Sequence, residues 1–213
     1  MNPAFQKNNP VNQMTTQDNK YTERLFDKQF VWWKRMLDVQ RPYRGNLRRM
    51  KPGFILDIGC GIGRNLIHLN GNGVGIDHNK SSVVMAKSKG LTAFTTEEFQ
   101  RTAFNISGRF DSILLAHVAE HMTEDEVVKL LNAYIHLLKP QGRVIIITPQ
   151  ESGYRSDQTH VQFMDFKTLN NIINMIGAKV IKQYSFPFPR LFGRFFRYNE
   201  FVCIAEKKQL VII

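Results

Sequence analysis

The segment from Leu56 to Asn65, LDIGCGIGRN, constrains the fold more than any other part of the chain. It starts as an apolar run that contains one acid, Asp57, which is typical of a buried strand. Three glycines at alternate positions predict a tight turn, because glycine adopts positive φ and lets the backbone approach a ligand closely. Helical spacing begins at Asn65. A strand, turn and helix in this order present unpaired backbone N–H groups, so we expect an anionic group to bind there.

A second acid narrows the choice of ligand. The apolar run Val74–Ile76 ends at Asp77, about 20 residues after the first strand, where nucleotide-binding α/β folds place an acceptor for ribose hydroxyls. Two classes fit: a dinucleotide-binding fold and a fold that binds S-adenosylmethionine (SAM). The dinucleotide pattern needs a small residue where Arg64 stands, and it has no acid that corresponds to Asp57. The second class is therefore favoured.

Four blocks of sequence carry a resemblance to a known family. They are Leu56–Gly63, Gly75–Asp77, Phe110–Met122 and Leu137–Pro149. In order and spacing the chain resembles the class I SAM-dependent methyltransferases. The resemblance implies an α/β fold with a Rossmann-like, seven-stranded, mostly parallel sheet, an antiparallel last strand and helices on both faces. It also implies SAM as the cofactor.

The chain divides into three expected regions: a disordered tail (1–20), an N-terminal helical cap (21–52) and the methyltransferase domain (53–208). A helix is predicted over residues 22–38, where Trp32 and Trp33 belong to an apolar stripe. Such stripes are usually packed, although this pair could also line an acceptor pocket. In the family a segment of this kind covers the active site.

Within the domain, the apolar runs predict strands and the polar punctuation predicts helix ends. The expected strands are 54–58, 73–77, 91–95, 110–116, 143–148, 179–184 and 200–206. Thr123 and Glu126 form a predicted capping box for a helix that Pro140 and Gly142 end. Asp165 is the expected N-cap of the following helix, which stops at Gly177.

The composition limits the partners. The 213 residues carry a formal net charge of +11, which favours an anionic substrate or partner. The arginines gather in two places: residues 41–51, and the aromatic–arginine segment (residues 185–199), in which three arginines alternate with aromatic side chains. No apolar run reaches the roughly 20 residues of a transmembrane helix. With only two cysteines, Cys60 and Cys203, we expect a protein of the reducing cytoplasm.

The resemblance assigns the cofactor-binding residues. Asp57 is expected near the methionine ammonium of SAM, and Asp77 is expected to accept the ribose hydroxyls. His78 would lie beside the adenine, and Glu97 is the candidate for its amino group, although the family pattern after the third strand is not kept here. The full expected set is Asp57, Gly59, Cys60, Gly61, Gly63, Asp77, His78, Glu97 and His117.

The run His117-Val118-Ala119-Glu120-His121 stands at the carboxyl end of the fourth predicted strand, where open α/β sheets bind ligands. His160 follows beyond the fifth strand. The small-RNA 2′-O-methyltransferases, one branch of the family, hold a divalent metal with a carboxylate, a Glu-His pair and a distant His. This chain has His117 in place of that carboxylate, which would favour a softer ion. Our expectation is that no metal binds and that His160 or His117 acts as a general base, whereas His121 holds its loop.

The function predicted from the sequence is methyl transfer from SAM to an oxygen or nitrogen of a small, anionic acceptor. One alternative is a metal-assisted RNA ribose 2′-O-methyltransferase, which makes nucleic acid a possible but less favoured partner. Another is a non-catalytic SAM-binding module. A dinucleotide oxidoreductase is disfavoured by Arg64 and by the late antiparallel strands. The acceptor and the oligomeric state are not encoded by any motif.

Overall fold

A computed structural model of the protein describes residue 38 and residues 40–208. Its centre is a seven-stranded sheet of order β3-β2-β1-β4-β5-β7-β6. The strands are β1 (Ile55–Ile58), β2 (Gly73–Asp77), β3 (Ala93–Thr95), β4 (Phe110–Ala116), β5 (Leu138–Pro149), β6 (Ala178–Phe186) and β7 (Glu200–Lys207).

Seven α-helices connect or flank the strands in the described residues. They are α1 (Arg41–Arg49), α2 (Arg64–His68), α3 (Lys80–Ser88), α4 (Thr96–Phe99), α5 (Glu124–Tyr134), α6 (Glu151–Tyr154) and α7 (Phe166–Met175). Three short 3-10 turns lie at Ala119–His121, Ile135–Leu137 and Arg190–Arg194. No helix in this part of the chain is long and apolar enough to cross a membrane.

The direction of the strands confirms the predicted fold class. Strands β1 to β5 pair in parallel, whereas β7 lies antiparallel between β5 and β6. The carboxyl ends of the parallel strands therefore meet the amino end of β7 at one edge of the sheet. There Pro149 pairs with Glu200, and Glu200 pairs with Phe186. We call this edge the carboxyl edge.

The apolar core has two layers because side chains of a strand alternate between the faces of the sheet. On β4, Ile113 and Leu115 pack into a cluster with residues of α5 and α7. Leu114 and Ala116 point to the other face and belong to a cluster that includes Leu47 of α1 and Leu66 of α2. Helices thus cover both faces, as the fold class requires.

The helix boundaries follow the predicted caps with one difference. Thr123 and Glu126 form the expected capping box of α5, and Asp165 accepts the N–H of Thr168 at the start of α7. Helix α5 ends at Tyr134, however, and β5 already starts at Leu138. The predicted end at Pro140 was therefore too late, because the last apolar residues of the stripe join the sheet instead of the helix.

Much of the predicted cap and tail lies outside the described residues. This applies to the disordered tail and to the predicted helix with Trp32 and Trp33. The part of the cap that is described forms α1, which packs Leu47 and Met50 onto the sheet. The Tyr43 hydroxyl donates a hydrogen bond to the carbonyl of Tyr198 (2.7 Å). Helix α1 is thereby tied to the aromatic–arginine segment.

Candidate active site

The glycine turn between β1 and α2 has the backbone conformation that its sequence predicts. Gly59, Gly61 and Gly63 all have positive φ (70°, 53° and 82°). A Cβ atom on Gly59 would lie 2.4 Å from Cγ2 of Val118, and one on Gly63 would lie 2.2 Å from Cδ1 of Leu91. The close approach of Gly59 to Val118 brings the turn against the Ala119–His121 region, so two of the predicted site segments are neighbours.

The N–H groups of this turn are largely engaged within the protein. Those of Gly59 and Cys60 donate to the carbonyl of Ile76 (2.8 and 3.1 Å), and that of Gly61 donates to Oδ2 of Asp77 (2.8 Å). The expectation that the turn presents unpaired N–H groups to an anion is wrong for these three residues. These hydrogen bonds instead hold the turn in a fixed position against β2.

Asp57 is fully buried and incompletely partnered. Its Oδ1 accepts a hydrogen bond from Nδ2 of Asn65 (3.3 Å), while Oδ2 has no partner in the described structure. Burial raises the pKa of Asp57 to about 7, against the lowering effects of Asn65 and the positive Arg64. A buried carboxylate in this state is stabilised by a cation or a donor placed beside it, which is what the α-ammonium of a bound amino acid supplies.

Asp77 ends β2 with both carboxylate oxygens at the carboxyl edge. Oδ2 accepts the Gly61 N–H, and Oδ1 accepts the N–H of Asn79 (2.8 Å). Asn79, not Asp77, caps α3 by accepting from Ser82. A carboxylate offers about four lone-pair sites, so Asp77 retains acceptor capacity for two ribose hydroxyls. This geometry fits SAM at the positions proposed from the sequence.

The other expected cofactor residues have different surroundings. Cys60 is buried, and burial raises the pKa of its thiol. His78 follows Asp77, with Nδ1 3.7 Å from Oδ1 of that acid. Glu97 is exposed on the short helix α4, whereas its neighbour Glu98 closes a capping box with Thr95. An adenine contact from Glu97 is a prediction that rests on its place after β3.

His117 is held between two carboxylates. Its Nδ1 lies 3.3 Å from Oε1 of Glu120, and its Nε2 lies 2.8 Å from Oε1 of Glu200. Burial alone would lower the pKa of His117, but hydrogen bonding and charge interaction with both acids raise it to about 9. At neutral pH this ring is an imidazolium with both N–H groups donating. A general-base role for His117, expected from the sequence, is disfavoured because the ring already carries its proton.

His117, Glu120 and Glu200 form an ion triad. Glu120 also belongs to a second cluster, with His121 and His160. One ligand atom from each lies within 4.8 Å of the others. Glu120 is 1% exposed, and its Oε2 has no hydrogen-bond partner among the described residues. The two imidazole rings pack edge to face with centroids 4.9 Å apart. This is the cluster, without His117, that carries the metal-ligand residue types noted in the sequence.

Both histidines of the cluster are oriented by backbone carbonyls. Nδ1 of His160 lies 2.7 Å from the carbonyl of Tyr154, and Nδ1 of His121 lies 3.0 Å from that of Thr159. A carbonyl only accepts, so in each ring Nδ1 carries the hydrogen and Nε2 of the neutral ring keeps its lone pair. The ring of His160 also stacks on Tyr154 (5.3 Å). Nε2 of His160 is therefore a preorganised acceptor for a proton or a metal.

Three site residues were missed in the sequence. Glu200 contacts His117 across 83 positions of the chain. Behind it, the buried Gln150 donates from Nε2 to the carbonyl of Glu200 (2.9 Å), and Asn199 donates from Nδ2 to Oε1 of Gln150 (3.0 Å). The available signal was a run of two polar residues, Asn199 and Glu200, at the start of an otherwise apolar strand.

The arginines before β1 are partly structural. Arg44 pairs with Asp38 (2.6 Å). Arg48 donates to the carbonyl of His68 (2.6 Å) and to Oδ1 of Asn70 (2.7 Å). Arg48 thus holds α1 to the end of α2, whereas Arg44 makes a local pair just before α1, so the cluster as a whole is not a free anion site.

Comparison with known proteins agrees with this geometry. Residues 35–183 match a family described as methyltransferase domain. An uncharacterized methyltransferase of Bacillus cytotoxicus is 26% identical over 162 residues, which cover 72% of this chain and 76% of the relative.

Solved structures share the fold of this chain. A SAM-dependent methyltransferase from Archaeoglobus fulgidus aligns with a TM-score of 0.60 and 18% identity, over 89% of this chain and all of that one. Magnesium protoporphyrin IX methyltransferase from Synechocystis with bound SAM aligns with a TM-score of 0.57 and 14% identity, over 93% of this chain and all of that one. A third relative is a methyltransferase from Haloferax volcanii in complex with the activator Trm112 (TM-score 0.64, 15% identity, 90% and 95% coverage).

The fold and the carboxyl-edge site define a SAM-dependent methyltransferase of class I, and SAM is the cofactor. The chain belongs to the methyltransferase-domain family that its residues 35–183 match.

Proposed function

We propose that the chain transfers a methyl group from SAM to an oxygen or nitrogen of a small, anionic acceptor. The observation that carries the proposal is the unpartnered Oδ2 of the buried Asp57. A buried carboxylate oxygen left without a partner costs free energy unless a cation or a hydrogen-bond donor meets it. The ammonium group of the methionine part of SAM is that cation, and Asp77 next to it takes the ribose.

The catalytic demand on this chain is chiefly one of placement. SAM supplies an electrophilic methyl group on a sulfonium sulfur. The protein must hold the acceptor atom in line with that methyl group and exclude water, and such positioning provides much of the rate acceleration. The contact between Gly59 and Val118 keeps the cofactor turn and the histidine cluster side by side.

His160 is the proposed general base. Nε2 of His160 would take the proton that the acceptor hydroxyl or amine loses, while Nδ1–H of the ring stays bonded to the Tyr154 carbonyl. His117 is proposed as a positioning residue of the site wall, because Glu120 and Glu200 bind both of its ring nitrogens and balance its charge. The exposed arginines Arg155 and Arg194 favour an anionic acceptor further out.

Calorimetric titration with S-adenosylhomocysteine, run beside NAD, tests the cofactor site. We expect binding of the thioether and none of NAD, and loss of most of the affinity in Asp57→Asn. Asp165→Asn is the matched control, because Asn also caps a helix well and Asp165 lies on α7, away from the glycine turn. A folded wild-type protein that binds no S-adenosylhomocysteine would overturn the proposal. Release of S-adenosylhomocysteine with a panel of charged and neutral small acceptors then tests the acceptor class.

A second function is favoured by the Glu120, His121 and His160 cluster. Two imidazoles whose Nδ1–H groups bind carbonyls, with a buried carboxylate oxygen beside them, are the usual surroundings of a transition-metal ion. A metal there would polarise a ribose hydroxyl of RNA, as in the metal-assisted alternative. The two functions exclude each other at His160, because a metal would occupy the lone pair that a base needs.

Elemental analysis and activity after chelation separate the two. Stoichiometric zinc or another transition metal that Glu120→Gln removes, together with activity that chelation abolishes, would support the metal-assisted function. Activity unchanged by chelation would support the base. The enzyme is proposed to work in the cytoplasm, in accord with two buried cysteines that are free thiols.

A further inference from the structure

The aromatic–arginine segment carries an exposed apolar surface next to the active site. Five of the eleven large, exposed apolar side chains in the described residues lie in it: Phe188, Leu191, Phe192, Phe195 and Tyr198. Phe195 is 80% exposed and Leu191 is 64% exposed. Single exposed apolar residues are common, but a contiguous group marks an interaction surface.

The same segment is strongly basic. It contains Arg190, Arg194 and Arg197 and no acidic residue. Arg190 is used internally, since it pairs with Glu151 and lies over the ring of Phe201. Arg194 and Arg197 are exposed, and Arg155 joins them by donating to the carbonyl of Arg194 (3.4 Å). Three exposed arginines therefore lie in or beside the segment that carries the exposed aromatic rings.

Buried polar side chains hold the 3-10 turn that carries these exposed residues. A Cβ on Gly193 would lie 1.8 Å from Oε1 of Gln150, so the 3-10 turn sits directly on that buried amide. Asn199 accepts the N–H of Phe188 (2.9 Å) and donates to Oε1 of Gln150. A supported turn exposes its apolar side chains without having to be ordered first, which lowers the entropic cost of binding.

We infer that this surface docks the protein on an anionic lipid bilayer. Aromatic and leucine side chains that enter the interface, with arginines at headgroup level, are the combination that binds peripheral proteins to acidic membranes. Glu200, the next residue after the segment, contacts His117. Docking would therefore place the mouth of the active site against the lipid.

Other occupants fit the charges and shapes less well. A second copy would bring arginines against arginines. The chain's own segment before residue 38 is a poor occupant for the same reason. It is also basic, with five basic and two acidic side chains in residues 20–37, and would be repelled by the arginines. Single-stranded RNA needs successive open ring faces for stacking. Phe188 and Phe196 use theirs against each other and against neighbours, Leu191 cannot stack, and among the described residues Phe195 is the one aromatic ring of the segment without a ring partner.

Co-sedimentation with vesicles tests the inference. We expect the full-length protein to bind vesicles of equal parts phosphatidylcholine and phosphatidylglycerol, and to bind pure phosphatidylcholine much less. Leu191→Ser/Phe195→Ser should weaken binding about tenfold or more. The control is Ile106→Ser, at an apolar residue that is 55% exposed in the loop before β4, at the opposite edge of the sheet. Arg194→Gln/Arg197→Gln should weaken binding to the anionic vesicles, whereas Arg101→Gln/Lys179→Gln should not.

A fluorescent label distinguishes the remaining occupants. Cys60 and Cys203 are buried, so a polarity-sensitive dye can be attached selectively to the Phe195→Cys variant. A blue shift on addition of anionic vesicles is the expected result. A dye that is already in an apolar environment without vesicles, and does not respond to them, would show that protein covers the surface and would overturn the inference. So would binding of a single-stranded RNA oligonucleotide without any binding to vesicles.

Discussion

Nε2 of His117 lies 2.8 Å from Oε1 of Glu200, which joins the end of β4 to the start of β7. The backbone of His117 has positive φ (58°), a conformation uncommon for residues other than glycine. Its side chain is 32% exposed. The ring thus forms part of the site wall while its two nitrogens bind carboxylates.

Because of this ion triad, the free energy of unfolding should fall when the pH becomes alkaline. The pKa of His117 is raised from 6.5 to about 9 in the folded protein. The protonated ring therefore contributes fully to the free energy of unfolding below pH 6.5, and this contribution is lost as the pH rises through 9. The loss is about 3 kcal/mol at most. In Glu200→Gln we expect a smaller fall in unfolding free energy between pH 6 and 9.5, measured by urea denaturation. Glu206→Gln, the same change at the other end of β7, should behave like wild type. Equal falls in all three proteins would contradict the role of the triad.

Cofactor binding should release a proton. The pKa of Asp57 is raised to about 7 by burial, so near pH 6 much of the carboxyl is protonated in the free protein. A cation bound beside it lowers its pKa and expels the proton. Calorimetry of S-adenosylhomocysteine binding in buffers of different ionisation enthalpy should detect this release at pH 6, and little of it at pH 8.5. Asp57→Asn should release no proton on binding. If wild type and variant released the same amount, the proton would come from another group.

The glycine turn should be intolerant of a methyl group. Gly63→Ala places a Cβ into Leu91 and also forces a positive φ. Gly90→Ala has a similar φ (75°) but meets no atom within 4 Å, so it isolates the backbone strain of about 1–2 kcal/mol. We expect Gly63→Ala to lose about 1–3 kcal/mol more than this control in denaturant unfolding. Equal losses would mean that Leu91 simply moves aside.

His160 should matter for turnover and not for cofactor affinity. Once an acceptor is found, His160→Gln should lower kcat by about 10²- to 10⁴-fold, the usual contribution of a general base, with S-adenosylhomocysteine affinity unchanged. His136→Gln, on the 3-10 turn before β5, is the control and should leave kcat unchanged. An unchanged kcat in His160→Gln would assign the base elsewhere.

The grouping of Asp57, the glycine turn and Asp77 could be predicted because its determinants are local. Asp57 and the three glycines lie within seven positions, and Asp77 is the last residue of the next strand. In a parallel sheet the ends of adjacent strands meet whatever the details of packing, so spacing alone placed these groups together. What spacing could not predict is that the turn's N–H groups are taken up by Ile76 and Asp77.

The role of the histidines required the tertiary structure. His117, Glu120, His121 and His160 share residue types that allow a base or a metal ligand, and the sequence ranked them only by resemblance. Glu200 reaches His117 because β7 inserts antiparallel between β5 and β6, which brings position 200 beside the end of β4. That second carboxylate changes His117 from a candidate base into a cation.

The sequence by itself therefore determined the strand, the glycine turn and the acids at the strand ends, which are local properties of the chain. The class of fold and the cofactor followed from the resemblance of its four blocks to the class I methyltransferases. Only the tertiary structure decided which titratable groups touch. The protonation state of a buried side chain depends on desolvation and on charges within a few ångströms, and those neighbours come from positions up to 83 residues away.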